Sequence, residues 1–121
     1  MALILVVDDE TELRDMIGIV LQKNGHEVLE AGDGVAGLDL YRETQPELLV
    51  TDMMMPGGNG FSFVDTVKTE FPNAKIIAIS GEFRRETDGA GELADVMNVD
   101  YTLSKPFHTH DLLKIVNKVL E

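Results

Sequence analysis

Three short apolar runs set the strongest limit on how this chain can fold: "LILVV" at residues 3–7, "ELLVT" at 47–51 and "KIIAI" at 75–79. Each is about the length of one strand, and none alternates between apolar and polar residues, so each predicts a strand covered on both faces. Between the runs the spacing changes from strand-like to helical. Leu13, Met16, Ile17, Val20 and Leu21 recur at i, i+3, i+4, i+7 and i+8, a single buried stripe on an amphipathic helix that Asn24-Gly25 ends. "HEVLEA" reads as a shorter, more polar strand, and "DGVAGLDLYRE" as a second helix stopped before Pro46. A turn at Gly57, Gly58, Asn59 and Gly60 precedes a third helix carrying Val64, Val67 and Phe71, stopped at Pro72. A fifth strand at 101–104 leads to a closing helix with Leu112, Ile115, Val116, Val119 and Leu120 inward. Residues 82–99 carry Gly89 and Gly91 where a fourth helix belongs, each costing about 1 kcal/mol against alanine, so a loop followed by a short helix around Leu93, Val96 and Met97 is expected.

Strands alternating with helices imply an α/β fold, a doubly wound, open parallel sheet with helices on both faces. The polar "EVLEA" belongs at an edge and "LILVV" and "ELLVT" inside, which gives the order 2-1-3-4-5 with the topological switch between the first and third strands. The 121 residues suit one domain spanning 1–121; the last helix runs to the end of the sequence, so no output domain is expected.

Charge narrows the partners. Ten basic against 22 acidic residues leave a net charge of −12, with no basic footprint for direct nucleic-acid binding. An anionic substrate would need a cation to accompany it. No apolar run approaches the ~20 residues that span a bilayer, so no membrane insertion is expected. The absence of cysteine excludes disulfides and thiolate metal sites and makes a cytoplasmic location the default.

Ligands of such sheets bind beyond the carboxyl ends of the strands. Taking the residue that ends each strand collects Asp8 and Asp9, Asp52, Ser80 and Lys105 from four distant stretches. Adjacent carboxylates next to an apolar strand are costly unless a positive charge compensates, and a hard divalent cation with oxygen ligands would do so. Asp9 with Glu12 also has the spacing of a helix cap, and Asp52 before "MMMPGGNG" that of a turn starter. Such caps would account for single residues and not for the whole set. The set suits phosphoryl transfer: Asp52 as nucleophile, the cation and Lys105 neutralising charge, Ser80 donating a hydrogen bond, and an aspartyl phosphate as product.

"LILVVDDE", "LLVTDMMMPGGNGF", "IIAISG" and "TLSKPF", which together extend over the whole chain, resemble the receiver domain of two-component response regulators, of the chemotaxis-regulator type with a flavodoxin-like three-layer (βα)5 sandwich. The resemblance implies that Asp52 accepts a phosphoryl group from a phosphohistidine on a sensor histidine kinase or a histidine phosphotransfer protein. It also implies magnesium, or manganese in its place, bound directly by Asp9, Asp52 and the backbone carbonyl of Met54, with Asp8 acting largely through water. Ser80 and Lys105 would contact the phosphoryl group, the Lys105-Pro106 bond would be cis, and the fourth helix, fifth strand and fifth helix would present the changed surface to a downstream target protein. The domain would catalyse its own phosphorylation and dephosphorylation without turning over another substrate.

Some positions depart from the family pattern. Thr102 stands where an aromatic switch residue is usual, and Tyr101, one residue earlier, points to the opposite face. Phe83 is a candidate substitute. The resemblance implies that Met54 and Glu82 stand at the two positions that tune phosphoryl lifetime in the family; an apolar Met54 cannot orient an attacking water by hydrogen bonding, which predicts a long-lived phosphoryl group. Other roles fit less of the sequence. A phosphorelay intermediate or a docking module that works without phosphorylation uses the same fold. A phosphatase of the haloacid dehalogenase type would use Asp8 and Glu10 but leaves Asp52 unexplained. A flavin-binding module needs a Gly/Ser/Thr-rich loop where "DDETE" stands. The Met53–Met55 run reads as cover for the site, "HTH" at 108–110 as surface, His26 as turn or edge strand, and Arg84 and Arg85 as a basic spot on a loop.

Overall fold

The computed structural model describes residues 1–54, 60–81 and 92–121. Ten elements alternate along them: β1 (Leu3–Val7), α1 (Thr11–Lys23), β2 (Glu27–Ala31), α2 (Gly34–Thr44), β3 (Leu48–Asp52), α3 (Gly60–Glu70), β4 (Ile76–Ser80), α4 (Glu92–Met97), β5 (Tyr101–Ser104) and α5 (Thr109–Leu120). All strand pairings are parallel and the order is β2-β1-β3-β4-β5, as the polarity of the strands predicts. The expected turn at 57–60 (apart from the start of α3 at Gly60) and the expected loop with Gly89 and Gly91 fall outside the described residues, as do Glu82, Phe83, Arg84 and Arg85.

Strand alternation divides the apolar side chains between two cores. On one face Leu5, Val7, Leu49, Ile76 and Ala78 meet Tyr41 of α2, Phe63, Val64 and Val67 of α3, and Ala94 and Met97 of α4. On the other Ile4, Val6, Leu48, Val50, Ile77, Ile79 and Leu103 meet Ile17 and Leu21 of α1 and Leu112, Val116 and Val119 of α5. Each fully buried Leu or Ile contributes about 1.5–3 kcal/mol of transfer free energy, so the sheet is held from both sides and its upper edge is left for function. β2 is one of the two edge strands, with Glu27 and Glu30 exposed.

The helix ends follow local chemistry. Asp33 caps α2 by accepting from the Ala36 N–H at 2.8 Å, and Gln45 closes it in the left-handed region at φ 43°. Asp9 does not cap α1. The Asp8 N–H still donates to the Ala31 carbonyl at 3.1 Å, so the sheet bonding runs one residue past β1 and the N-cap position falls to Glu10, whose side chain makes no cap hydrogen bond. On β5, Tyr101 and Leu103 pack into the α1/α5 core while Thr102, registered on Ala78, lies on the opposite face. No helix among the described residues is long and apolar enough to cross a membrane.

Candidate functional site

The carboxyl ends of β1, β3, β4 and β5 bring Asp8, Asp52, Ser80 and Lys105 to one edge of the sheet, and Asp8, Asp52 and Ser80 are buried there. Asp8 is fixed on both sides of its Cα. Its Oδ1 accepts the Glu10 N–H at 2.9 Å, and its backbone carbonyl accepts from Arg14 Nη1 at 2.6 Å. Arg14 also lies 3.3 Å from Glu30 Oε1, so one α1 side chain ties the end of β1 to the edge strand β2. Asp52 Oδ1 accepts the Met54 N–H at 3.0 Å, and Oδ2 accepts from Lys105 Nζ at 2.9 Å. The backbone holds the same strand ends together: the Met53 N–H donates to the Ile79 carbonyl at 2.9 Å, and the Lys105 N–H to the Ser80 carbonyl at 3.1 Å.

Lys105 sits among three carboxylates. Its Nζ lies 2.9 Å from Glu10 Oε1 and from Asp52 Oδ2, and 3.8 Å from Asp8 Oδ2. One ammonium against three carboxylates leaves the site negative. Burial, reinforced by the Asp52 and Glu10 charges, pushes the Asp8 carboxyl up to about 6 against the opposing pull of the Glu10 N–H and Lys105. Burial works against the Lys105 ammonium too, but its hydrogen bonds to Asp52 and Glu10 and the Asp8 and Asp52 charges outweigh that and raise its pKa.

Among the described residues, Asp8 Oδ2 is the buried side-chain oxygen with no hydrogen-bond partner. A buried carboxylate oxygen without a donor is expensive unless a ligand completes it. One oxygen from each of Asp8, Glu10 and Asp52 lies within 4.8 Å of the others, a hard-oxygen set of the kind that divalent cations take. Asp9 is exposed and stands outside this trio. The side chain that the sequence reading left out of the phosphoryl-transfer set, using it only in the phosphatase alternative, is Glu10. Period-two alternation carries the signal, since residues 8 and 10 of an extended segment share a face and residue 9 does not. Met54 contributes its N–H, and the residue is 54% exposed. Thr102 is buried on β5, Pro106 is exposed with a cis Lys105-Pro106 bond, and Glu82 falls outside the described residues.

The response regulator receiver domain family matches residues 4–117. The chain belongs to that family. Among curated relatives, protein PilH of Pseudomonas aeruginosa is 35% identical over 121 residues, covering 99% of this chain and 98% of that protein. The phosphate regulon transcriptional regulatory protein PhoB of Escherichia coli is 32% identical over 117 residues, 97% of this chain but 51% of PhoB, so the receiver spans about half the length of that relative. The solved structure of the chemotaxis protein CheY4 of Vibrio cholerae superposes with a TM-score of 0.87 at 30% identity, covering 99% of each chain. The function that follows is that of a phospho-accepting receiver in two-component signalling. Receivers generally bind Mg2+ at an acidic pocket, and they interact with histidine kinases and with downstream effectors. Here Asp8, Glu10 and Asp52 form an acidic group beside Lys105.

Proposed function

We propose that Asp52 is the phospho-acceptor and that the edge around it is the transfer site. One observation carries the reading: the buried Asp52 carboxylate is held between the Met54 N–H and the Lys105 ammonium, beside an Asp8 oxygen that lacks a donor. The two hydrogen bonds, one to each carboxylate oxygen, fix the carboxylate. In the transfer a carboxylate oxygen of Asp52 forms a bond to phosphorus as the phosphorus–nitrogen bond of a partner phosphohistidine breaks. The bonding pair returns to the imidazole, and the product is an acyl phosphate. The donor is a sensor histidine kinase or a histidine phosphotransfer protein, and a downstream target protein reads the change on the α4-β5-α5 surface.

Asp8, Asp9 and Asp52, with the Met54 carbonyl, would hold Mg2+ or Mn2+, and the orphaned Asp8 oxygen fits that assignment. A bound dication supplies charge neutralisation at the transferring oxygens. Lys105 pairs with the phosphoryl group once it is in place, and the Ser80 hydroxyl donates to it. Glu82, Thr102 and Pro106 modulate the site: Glu82 through access of water, Thr102 through its buried place on β5, and Pro106 by setting the direction in which the chain leaves Lys105. The sheet and its helices take up the chain from Leu3 to Leu120, which supports reading 1–121 as one receiver domain.

Intact mass spectrometry after incubation with Mg2+ and a small acyl phosphate or phosphoramidate tests the reading. The wild-type protein is expected to gain one phosphoryl group and the Asp52→Asn protein none. An adduct of equal yield on Asp52→Asn would overturn the assignment.

A further inference from the structure

Glu10 occupies the N-cap position of α1, where Ser, Thr, Asp and Asn are the residues that close the orphan N–H groups. Its side chain makes no such bond. It accepts instead from Lys105 Nζ at 2.9 Å, across 95 positions of sequence. The Glu10 side chain is 60% exposed and the Lys105 side chain 20%, so the pair lies at the mouth of the pocket with Asp52 beneath it. The Lys105 ammonium is thus held by an inner carboxylate, Asp52, and an outer one, Glu10.

A divalent cation that takes an Asp52 oxygen competes with the ammonium for the same atom. Two positive groups cannot share that carboxylate closely without repulsion, so Lys105 gives up Asp52 when the cation binds. With Glu10 present the ammonium leaves one carboxylate and keeps the other. Without it, the ammonium keeps only the more distant Asp8 carboxylate, 3.8 Å away and itself beside the dication. We infer that Glu10 is a positioning residue for Lys105, retaining the ammonium while Asp52 is engaged elsewhere and so making divalent-cation affinity depend on the Glu10–Lys105 pair. The inference rests on the reading of Asp52 and its neighbours as the cation and phosphoryl site.

A double-mutant cycle on Mg2+ affinity tests it, measured by isothermal titration calorimetry on wild type, Glu10→Gln, Lys105→Gln and the double variant. Lys105→Gln is expected to tighten Mg2+ binding, because it removes the internal competitor. The pair exists before the cation arrives, so only the part of it that strengthens when Lys105 leaves Asp52 enters the affinity. Glu10→Gln is expected to weaken binding about threefold in the wild-type background, less than the full scale of one partly exposed ion pair. In the Lys105→Gln background the same change should cost less than about twofold, the remainder due to diffuse charge. In parallel, the Lys105 ε-methylene resonance should shift further on Mg2+ addition in Glu10→Gln than in wild type. An effect of Glu10→Gln as large or larger without Lys105, or no effect with it, would overturn the inference and leave Glu10 a direct ligand or a bystander. Failure of the underlying reading gives a different result: wild type would bind no Mg2+, or Asp52→Asn would bind it as tightly.

Discussion

Asp8 is buried at the end of β1 with one oxygen bound to the Glu10 N–H and the other without a donor, beside the carboxylates of Asp52 and Glu10. In cation-free protein this is an electrostatic penalty, and its sign with pH follows from the raised pKa. The unfolded carboxyl titrates near 3.8 and the folded one near 6. Below about pH 4 both states are protonated and the penalty is absent. Between the two values the folded chain binds a proton that the unfolded chain releases, so stability falls as pH rises, and above about pH 6 the penalty is complete. At about 1.4 kcal/mol per pH unit its size near neutrality is on the order of 2–3 kcal/mol. Asp8→Asn is therefore expected to be more stable than wild type by up to that amount in chelator at neutral pH, with the gain fading toward pH 4. Urea unfolding at several pH values checks it, and an Asn variant less stable than wild type at pH 7 would contradict the burial argument. Convergence of Asp8, Asp52 and Lys105 was legible from the sequence because each ends or follows a strand of a parallel sheet. The Glu10 contact was not, because its partner is 95 residues away and only the folded edge brings the two side chains together.

At the level of elements, the stripe of α1 and the inward face of α5 were readable because helical periodicity survives any detail of packing: Ile17, Leu21, Leu112, Val116 and Val119 are all buried. Boundaries were less readable. Asp9 loses the cap position because sheet bonding continues to Asp8, a tertiary effect that local spacing does not encode. Gly37 is another case. Inside α2 a glycine is a poor helix former, and the sequence offers no reason for it. The structure does: a Cβ there would lie 2.9 Å from Val7 Cγ2 and 3.1 Å from Phe63 Cζ, both in the core between α2, β1 and α3. The close approach of α2 to β1 depends on the missing side chain. Gly37→Ala should consequently destabilise the fold by about 1–3 kcal/mol, overpacking outweighing the roughly 1 kcal/mol gained in helix propensity. Chemical denaturation measures it, and a more stable alanine variant would mean that α2 can move off β1 at little cost. The exposed pairing of Arg42 with Glu70, bidentate at 2.8 and 2.5 Å, joins the C-terminal turns of α2 and α3. Being at the surface and screened by salt, it fixes the relative placement of the two helices less than Val7 and Phe63 do.

For the molecule as a whole, the two cores and the acidic edge divide stability from function. Each face of the sheet closes over its own set of helices, and these interlocked apolar contacts do not involve the carboxylates at the strand ends. The net charge of −12 adds a general self-repulsion that any added salt relieves. A divalent cation should do more than salt, because the proposed cation site is one that the unfolded chain lacks. Mass action then adds RT ln(1 + [L]/Kd), about 2.7 kcal/mol at a hundred times Kd. For a chain of 121 residues that corresponds to a rise in Tm of about 10 °C, since the unfolding entropy scales with length at about 2.1 cal/mol/K per residue. Calorimetric scans in Mg2+ against NaCl of equal ionic strength separate the two effects. The Mg2+ scan is expected to lie higher by several degrees in wild type, and Asp52→Asn should lose most of that difference while keeping its response to NaCl. Equal scans in the two salts would mean that the acidic edge is only a charged surface, and that the orphaned Asp8 oxygen is borne by the apolar packing beneath it rather than by a ligand.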